Sequence, residues 1–433
     1  MVKQHRFFYG WVIVGLSFVN LGIIFGIWYS FSVFFVAILQ EFGWSRAATA
    51  GVFSCFMIVH SASAIVIGSF LDRFGARVVF PAGACIVALG LFASSRIDAL
   101  WQLYLWYGVL TPVGVCAVGF LAHSIILPKW FARKRGLAIG IAMAGIGLGM
   151  QILVPATQIV ITDFGWRVAY CILAGFVLVT ILPLNILLQR NSPREMGQQP
   201  DGARAEEAAD DRPDEAGQPE TPFTCPPVIW TVHACLRSKQ FWFLFSAFFF
   251  TPLAVQGILI HQVAGVVDKG FSAVQGAFFF GLAGIMGSLG KISFGWLSDR
   301  IGREIAFGIG LGCAFLGVLS LMMLRPDWPY LLYGYAILFG LGYGSFAPIM
   351  PARTADLFLG PHFGKILGML AVGGGIGGAL GVWLSGKIYD ITANYNASFI
   401  ISLIALVLAV ILFRLAGTPV AREKESAGQT GTQ

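Results

Sequence analysis

The sequence predicts an all-α membrane protein in which twelve transmembrane helices form two pseudo-symmetric six-helix bundles. Three observations predict this fold class: a composition too apolar for a soluble domain, a regular succession of long apolar segments, and a loop motif that occurs once in each half. Of the 433 residues, 57% are hydrophobic and 11% are charged. Soluble domains carry about 25% charged residues, so this composition indicates lipid surroundings.

The apolar segments are long enough to cross a bilayer, because a transmembrane helix needs about 20 mostly apolar residues. The first follows the N-terminal MVKQHRFFYGWV without a small-residue cleavage site, which predicts a transmembrane helix and not a signal peptide. A scan of the chain gives twelve candidate spans. Their centres lie near Ile23, Val59, Ala88, Thr111, Gly149, Val177, Thr251, Gly284, Ala314, Gly340, Gly375 and Leu406.

The positions of Lys and Arg predict the orientation of the chain. Arg73 and Arg77 follow the second span, and Arg300 and Arg303 follow the eighth, whereas the loops on the opposite side carry fewer cations. By the positive-inside rule both termini are expected in the cytoplasm, with the spans in the cell (inner) membrane. The net charge of +7 then reflects topology, and no nucleic-acid partner is expected.

One interruption of the apolar pattern predicts the domain organisation. Residues 191–239 contain no span, and the part 197–222 holds eight of the 21 acidic residues. Such a segment buries too little apolar surface to order itself, so we expect a flexible cytoplasmic linker, with partner binding as the alternative. It separates an N-terminal bundle (1–190) from a C-terminal bundle (240–417), and a cytoplasmic tail (418–433) follows.

The two halves share a loop motif. The stretch GSFLDRFGAR (68–77) follows the second span, and GWLSDRIGRE (295–304) follows the eighth, which is the second span of its half. Tyr107 and Tyr333, each followed by glycine, repeat at nearly the same offset as the two copies of the motif. Two related six-span units predict parallel repeats about an axis along the membrane normal, with a substrate site between them near the midplane.

These paired G-x-x-x-D-R-x-G-x-R/E loops resemble the signature of the major facilitator superfamily, and the resemblance extends over essentially the whole chain. It implies the major facilitator fold and loops that hold the cytoplasmic side closed while the substrate site faces outward. Asp72 and Asp299 are placed to cap a helix N-terminus and to pair with Arg77 or Arg303. The expected gating residues are Gly68, Asp72, Arg73, Arg77, Gly295, Asp299, Arg300 and Arg303.

Four further stretches resemble the monocarboxylate and oxalate–formate transporter branch of that superfamily. They are FGWSRA (42–47), GWRVAY (165–170), SPREMGQQPDG (192–202) and GPHFGKILG (360–368). The resemblance implies a secondary active transporter of small organic anions, in particular monocarboxylates, that works by alternating access. Twelve-span members of the superfamily usually work as monomers, so a monomer is expected.

Lys291 is the candidate substrate-binding residue that the residues themselves single out. A charge at the bilayer centre costs about 2.5–3.5 kcal/mol on insertion scales, and this lysine lies within the eighth span. At 3.6 residues per turn it shares a face with small residues, namely Gly284, Gly287, Ser288 and Gly295. Small residues line helix contacts or cavities, so the lysine is expected to point into the protein. The alternative is snorkelling of its ammonium to the interface, about 10 Å away.

The resemblance implies a role for this lysine. In monocarboxylate transporters an arginine four residues before the motif glycine of the eighth span binds the substrate carboxylate, and that position is Lys291 here. The animal members carry an aspartate one turn earlier, where this chain has Gly287, and a first-span lysine where it has Tyr29. Because that aspartate is the usual proton carrier, its absence leaves both proton symport and exchange against a counter-anion open. One central cation favours a monoanion over a dianion.

Other polar residues within spans are candidates for the same cavity. His261 in the seventh span is a candidate for substrate binding or proton coupling, and His60 in the second span is a candidate for proton coupling. Asn20, Tyr29, Gln256 and Tyr343 lie in spans that line the cavity in this superfamily, and each can donate a hydrogen bond to a carboxylate. Each of the six also has a purely structural alternative, as a packing or helix-bridging group.

Two other functions fit the sequence less well. Efflux of neutral or hydrophobic solutes would leave Lys291 dispensable, and the Gly-Pro pair typical of drug–proton antiporters is absent from the fifth span. A non-transporting receptor or scaffold would be expected to carry an output domain, which neither the linker nor the segment after Gly417 resembles. Enzyme activity, a cofactor and a metal ion are not expected, because no nucleophile elbow, P-loop or metal-ligand spacing occurs.

Overall fold

A computed structural model of the chain describes residues 8–131, 135–200, 230–358 and 363–417, apart from the side chains of residues 65, 72, 135–137 and 364. Twelve helices in these ranges are long and apolar enough to cross a membrane, and every predicted span centre lies within one of them. The described ranges contain no β-strand, which confirms the all-α fold class. The predicted linker residues 201–229 and the tail 418–433 lie outside the described residues.

The twelve helices are numbered here in chain order. They are α1 (Gly10–Phe42), α2 (Arg46–Phe74), α3 (Ala76–Ser94), α4 (Leu100–Trp130), α5 (Arg135–Phe164), α6 (Trp166–Leu188), α7 (Lys239–Asp268), α8 (Ala273–Ile301), α9 (Arg303–Met322), α10 (Leu331–Phe358), α11 (Phe363–Thr392) and α12 (Asn396–Leu415). Two short helical segments, Pro193–Met196 and Val232–Arg237, lie between α6 and α7. We call the side on which α6 ends and α7 begins the linker side, and the opposite side the distal side.

The motif glycines explain how consecutive helices turn back on each other. Gly75 separates α2 from α3 with a φ of 74°, and Gly302 separates α8 from α9 with a φ of 90°. A positive φ is strained for residues with a side chain, so glycine allows each pair to be joined by a single residue. The start of α8 is fixed by Ser272, whose side chain accepts a hydrogen bond from the backbone N–H of Gln275 in a reciprocal capping box.

The two halves repeat the same helix packing. In the first half α1 packs on α5 and α6, while α2 and α3 pack on α4; in the second half α7 packs on α11 and α12, while α8 and α9 pack on α10. The helices α4 and α10 are both interrupted, at Gly119 and at Ser345. These two positions are separated by the same offset as Tyr107 and Tyr333. The internal repeat read from the motif therefore extends to the irregularities of the helices.

Contacts between the halves are made mainly by two symmetry-related pairs, α2 with α11 and α5 with α8. A Cβ atom built on Gly147 of α5 would lie 2.6 Å from the carbonyl oxygen of Gly284 on α8, so these helices meet at their backbones. On the other pair, the Ser54 hydroxyl of α2 donates to the carbonyl oxygen of Ala379 on α11 at 2.6 Å. Close contact of this kind is typical of helices that pack in lipid through small residues.

The helices α2 and α11 separate toward the linker side. A Cβ atom on Gly386, near the distal end of α11, would lie 2.7 Å from the backbone oxygen of Arg46, and one on Gly378 would lie 2.5 Å from Met57. A Cβ atom on Gly368, near the linker-side end of α11, would have no atom of the described residues within 4 Å. The space between the halves therefore opens toward the linker side.

Candidate substrate site

The small-residue face predicted for α8 is present in the structure, and bulky apolar side chains lie on another face. Leu289, Ile292 and Trp296 are 47%, 62% and 56% exposed, as expected for side chains that face lipid. Gly284 and Gly287 are buried against neighbouring helices. Lys291, on the same face of α8 as these glycines, is half-buried. At 1.5 Å per residue it lies about 27 Å from the distal end of α8 and about 15 Å from the linker-side end.

Lys291 has a special position among the charged residues of the twelve helices. It is the one lysine or arginine of the described helices that lies more than two turns from a helix end, and every Asp and Glu in them lies within two turns of an end. Its ammonium forms no ion pair or hydrogen bond with the described part of the chain. An intramembrane cation at this depth without a counter-charge is expensive, which makes Lys291 a candidate functional residue.

Tyr343 of α10 lies directly beside the helical turn that precedes Lys291. A Cβ atom on Gly287 would lie 2.3 Å from the Tyr343 hydroxyl oxygen, so the phenol fills the space that a side chain at residue 287 would occupy. One residue further, a Cβ atom on Gly344 would lie 3.0 Å from the backbone nitrogen of Lys291. The α10 backbone therefore runs against α8 at the lysine and places the phenol next to it.

Tyr29 of α1 brings the first half of the chain to the same level. Its ring packs edge-on against Phe280 of α8 with 5.8 Å between the centroids. Measured along their helices, Tyr29 and Tyr343 lie about 20 Å and about 18 Å from the distal ends. The structure thus places Tyr343 beside the turn before Lys291 and packs Tyr29 on the same helix, α8, at Phe280.

Further polar atoms at the middle of the membrane lack partners. The Trp28 indole nitrogen and the side-chain oxygens of Gln151, Gln256 and Ser288 are buried and have no hydrogen bond within the described ranges. A buried polar group without a partner costs about 1–3 kcal/mol, so such groups are normally satisfied by water or a ligand. Trp28 and Gln151 were not predicted from the sequence. Gln151 was recognisable as an amide in an apolar span, whereas nothing in the pattern marks Trp28.

Asn20 lies away from this region. Its amide nitrogen donates to Asn185 at 2.9 Å, and the amide nitrogen of Asn185 donates back at 3.0 Å. Both side chains are fully buried between α1 and α6 of the first half. This geometry favours the helix-bridging alternative for Asn20.

The two candidate histidines lie at different depths. His60 is half-buried at the middle of α2, and its ring packs edge-on against Trp28 with 4.9 Å between the centroids. His261 of α7 is fully buried about 10 Å from the distal end of α7, next to Phe35 of α1. The structure therefore packs His60 on Trp28 and places His261 far from Lys291.

His261 belongs to a polar cluster that was not predicted from the sequence. Its Nε2 lies 2.9 Å from the carbonyl oxygen of Val382, and its Nδ1 lies 3.0 Å from the Tyr395 hydroxyl. The Arg46 guanidinium donates to the same hydroxyl at 2.6 Å and to the Asp268 carboxylate at 2.9 Å. The partners of Arg46 are 222 and 349 residues away in the chain, so no local pattern in the sequence indicates them.

The Asp390 carboxylate completes this distal cluster. Its oxygens accept hydrogen bonds from the backbone N–H groups of Arg46 and Ala47 at 2.7 and 2.8 Å. The Arg46 guanidinium also lies over the ring of Tyr389, 3.5 Å from its centroid. Arg46 and Ala47 belong to the first half and the other members to the second, so the cluster ties the halves together on the distal side.

The predicted gating loops lie on the linker side. Arg303 forms ion pairs with Asp299 and, at 3.4 Å, with Asp356, and Arg300 lies over the Trp296 ring. Every partner named here lies in the second half of the chain. A Cβ atom on Gly295 would lie 3.4 Å from Pro348.

The first-half loop is organised differently. Arg73 and Arg77 are exposed, and the backbone N–H of Arg77 donates to Asn191 at 3.3 Å, just after α6. A Cβ atom on Gly68 meets nothing within 4 Å among the described residues. The side chain of Asp72 lies outside the described residues, so its predicted capping and pairing remain predictions.

Comparison with protein families decides the identity of the fold. Residues 16–328 and 292–432 match the family model of the Major Facilitator Superfamily. The chain belongs to this superfamily. Its members are transporters, so the expectation that the chain is not an enzyme is confirmed, and the chain is a multi-pass integral membrane protein.

Curated relatives of this superfamily member are monocarboxylate transporters. Monocarboxylate transporter 13 of Bos taurus is 27% identical over 397 residues, which cover 91% of this chain and 86% of the relative. Monocarboxylate transporter 2 of Homo sapiens is 26% identical over 432 residues, covering 95% and 86%. The predicted resemblance to the monocarboxylate transporter branch is thereby confirmed.

Solved structures share the fold. A bacterial homologue of the human lysosomal transporter Spinster, in an inward-facing and occupied conformation, aligns with a TM-score of 0.67 at 16% identity and covers 94% of this chain and 97% of its own. The nucleoside transporter NupG aligns with a TM-score of 0.70 at 14% identity, covering 94% and 98%. At these identities the likeness concerns the fold alone.

Proposed function

We propose that this transporter moves small organic anions, in particular monocarboxylates, and that Lys291 binds the carboxylate. The observation that carries the proposal is the isolation of the Lys291 ammonium, deep between the halves and without an acidic partner in the described chain. A cation that is removed from water without a partner is destabilising. An anionic cargo supplies the missing charge each time the site is loaded.

Tyr343 and Tyr29 are the proposed hydroxyl donors of this site. Tyr343 lies against the turn of α8 that precedes the lysine, and Tyr29 of the first half packs on Phe280 of the same helix. Hydrogen bonds from a hydroxyl to a carboxylate are charge-assisted and about twice as strong as neutral ones. A carboxylate held by Lys291 and both phenols contacts both halves, so its binding is coupled to their relative position.

The local charges favour a monoanion. Lys291 supplies one positive charge, and no other lysine or arginine of the described helices lies at this depth. Gly287 stands where the animal members of the branch carry an aspartate, and the Tyr343 phenol occupies that space. This leaves the coupling mode, proton symport or exchange against another anion, to be decided by experiment.

The alternating-access part of the proposal is supported by the packing between the halves. The pairs α2–α11 and α5–α8 are related by the internal repeat, and α2 and α11 diverge toward the linker side while the cluster around Arg46 closes the distal side. We further propose that the linker side is cytoplasmic, because the basic loops lie there, and that the chain resides in the cell (inner) membrane.

Uptake into proteoliposomes tests the role of the lysine. Labelled monocarboxylates and dicarboxylates are offered with and without an inward proton gradient to wild type, Lys291→Gln and Lys365→Gln. The last variant is a matched control, since it removes the same charge from an exposed position near the linker-side end of α11. We expect saturable uptake of a monocarboxylate in wild type and the control, and its loss in Lys291→Gln.

The gradient arm separates the two coupling modes. Stimulation by an inward proton gradient supports symport, whereas dependence on a carboxylate trapped inside the vesicles supports exchange. Undiminished uptake by Lys291→Gln, or uptake of no acid by wild type, would contradict the proposal and favour a neutral solute or a snorkelling lysine.

A further inference from the structure

We propose that the distal cluster formed by Arg46, Asp268, Asp390, Tyr395 and His261 is a proton-sensitive latch that closes only while His261 is neutral. This inference goes beyond the proposed function and does not depend on the cargo. It assigns His261, which lies far from Lys291, to the gate between the halves. It follows from the direction of the hydrogen bonds in the cluster, in which both ring nitrogens of His261 are already engaged. Nε2 donates, and the lone pair of Nδ1 accepts from Tyr395.

The acceptor at one side of the imidazole fixes its tautomer. The backbone oxygen of Val382 can only accept, so Nε2 of His261, 2.9 Å away, carries the hydrogen. In a neutral imidazole Nδ1 is then an acceptor, and the Tyr395 hydroxyl 3.0 Å away donates to it. The chain of donors therefore runs from Arg46 through Tyr395 to His261 of α7 and ends at the carbonyl oxygen of Val382 on α11.

The state of Tyr395 agrees with this direction. Burial raises the pKa of Tyr395 above its ordinary value, even though the neighbouring Arg46 guanidinium acts in the opposite sense. The phenol consequently keeps its hydrogen and donates to Nδ1 of His261. Its oxygen remains free to accept from the Arg46 guanidinium, 2.6 Å away.

A proton on Nδ1 breaks this arrangement. The imidazolium offers a donor on both nitrogens, so the Tyr395 hydrogen has to turn away from His261 and loses its acceptor. The Tyr395 oxygen then faces two cationic donors, His261 and Arg46, which repel each other in surroundings of low dielectric constant. His261 is fully buried here, so water cannot take over either role while the latch is closed.

The groups that face the cluster come from α1, α2, α7, α11, the loop after α11 and α12, which contributes the apolar ring of Phe399 stacked on Tyr395. The helix α1 contributes the apolar ring of Phe35, α2 contributes the guanidinium of Arg46, and α7 contributes the carboxylate of Asp268. The end of α11 contributes Tyr389 and Asp390, and the α11–α12 loop contributes Tyr395. The two carboxylates pair with Arg46 or its backbone and do not contact the imidazole, so they do not neutralise an imidazolium within hydrogen-bond distance.

Release of the latch means separation of the halves on the distal side. Arg46 is the member that comes from the first half, and its side chain and backbone together bind three residues of the second half. Once these bonds are lost, the distal side is free to open and His261 becomes hydrated. Acid on the distal side is therefore expected to hold the transporter open toward that side.

Distances between spin labels on the distal loops test the proposal without any cargo. Labels are attached at Asp98→Cys and Asp327→Cys, two exposed positions between α3 and α4 and between α9 and α10, in a background without native cysteines, in lipid nanodiscs. One proton that binds only to the open state, at a group titrating near pH 6.5 when hydrated, raises the open-to-closed ratio about tenfold between about pH 8 and about pH 5.5. We expect that rise in wild type and its loss in His261→Gln.

Three further variants keep the test sharp. His233→Gln removes an exposed histidine on the linker side and should retain the full response, and Tyr395→Phe, which keeps the ring, should weaken closure at about pH 8. Asp390→Asn tests the carboxylates as the alternative proton acceptors. Two outcomes overturn the proposal: a distance distribution in wild type that does not change with pH, or a response in His261→Gln as large as in wild type. If the response is lost in Asp390→Asn but kept in His261→Gln, the proton binds to the carboxylate of Asp390 and not to His261.

Discussion

The phenol of Tyr343 occupies the space that any side chain at Gly287 would need. A Cβ atom at residue 287 would lie 2.3 Å from the hydroxyl oxygen and 2.4 Å from the ring carbon that carries it. Because Gly287, one turn before Lys291, has no side chain, the phenol of Tyr343 from α10 fits into that space. The two residues act as one structural unit, in which glycine gives room to a hydroxyl beside the central lysine.

The first prediction concerns this unit. Gly287→Ala should force Tyr343 out of its position, because contacts below 3.0 Å to a ring carbon cannot be relieved by a small shift. Overpacking of this kind typically costs about 1–3 kcal/mol, which thermal unfolding in detergent should detect together with reduced carboxylate uptake. Gly312→Ala on α9, where a Cβ meets no described atom within 4 Å, is the matched control and should lower neither measurement, since Ala in a helix interior is about 0.5–1 kcal/mol more stable than Gly.

The second prediction separates the phenol's hydroxyl from its ring. Tyr343→Phe keeps the packing against Gly287 and removes the donor, so stability should stay near wild type while KM for the carboxylate rises. A hydrogen bond to a charged group contributes about 1.5–3 kcal/mol, which corresponds to roughly tenfold or more in apparent affinity. Uptake measured over a range of substrate concentrations checks this; an unchanged KM would remove Tyr343 from the binding site.

The limits of sequence reading are visible in particular residues. The spans and the inward face of Lys291 were predictable, because hydropathy and the 3.6-residue period are local properties of the chain. Pairing between residues far apart in the chain was not predictable. Asn20 and Asn185, which form a hydrogen bond, are 165 residues apart, and Arg46 and Tyr395 are 349 residues apart. From the local sequence such residues are interpreted as isolated polar groups or as charges that set the membrane topology. Which of them form pairs depends on the tertiary fold.

The third prediction addresses the asparagine pair. Asn20→Ala leaves Asn185 buried with an unused amide oxygen, and this should lower the free energy of unfolding by about 1–3 kcal/mol. The double variant Asn20→Leu with Asn185→Leu replaces both partners by apolar groups and should recover part of that loss. Thermal unfolding of the three proteins provides the comparison. Transport per folded molecule should be normal in the double variant, whereas a specific loss of carboxylate affinity would return Asn20 to the substrate site.

The fourth prediction concerns the contact between α2 and α11. The Cβ atom of Ser61 lies 3.7 Å from the position of a Cβ on Gly375, a separation that suits a disulfide, in which Cβ atoms lie about 3.5–4.5 Å apart. Ser61→Cys with Gly375→Cys, in a background without native cysteines, should therefore cross-link the two halves under mild oxidation. Because the halves must move against each other during transport, uptake should stop on oxidation and return with a reducing agent.

The control for this cross-link is Ser61→Cys with Gly368→Cys. Gly368 lies about two turns closer to the linker side, where a Cβ meets no described atom within 4 Å, so no disulfide should form between α2 and α11. Cleavage of the chain in the linker followed by electrophoresis shows whether the halves are joined, independently of transport. Efficient cross-linking of the control pair would mean that α11 slides along α2 by about 10 Å. Continued uptake by the oxidised Ser61–Gly375 pair would mean that this contact is a fixed pivot about which the halves turn.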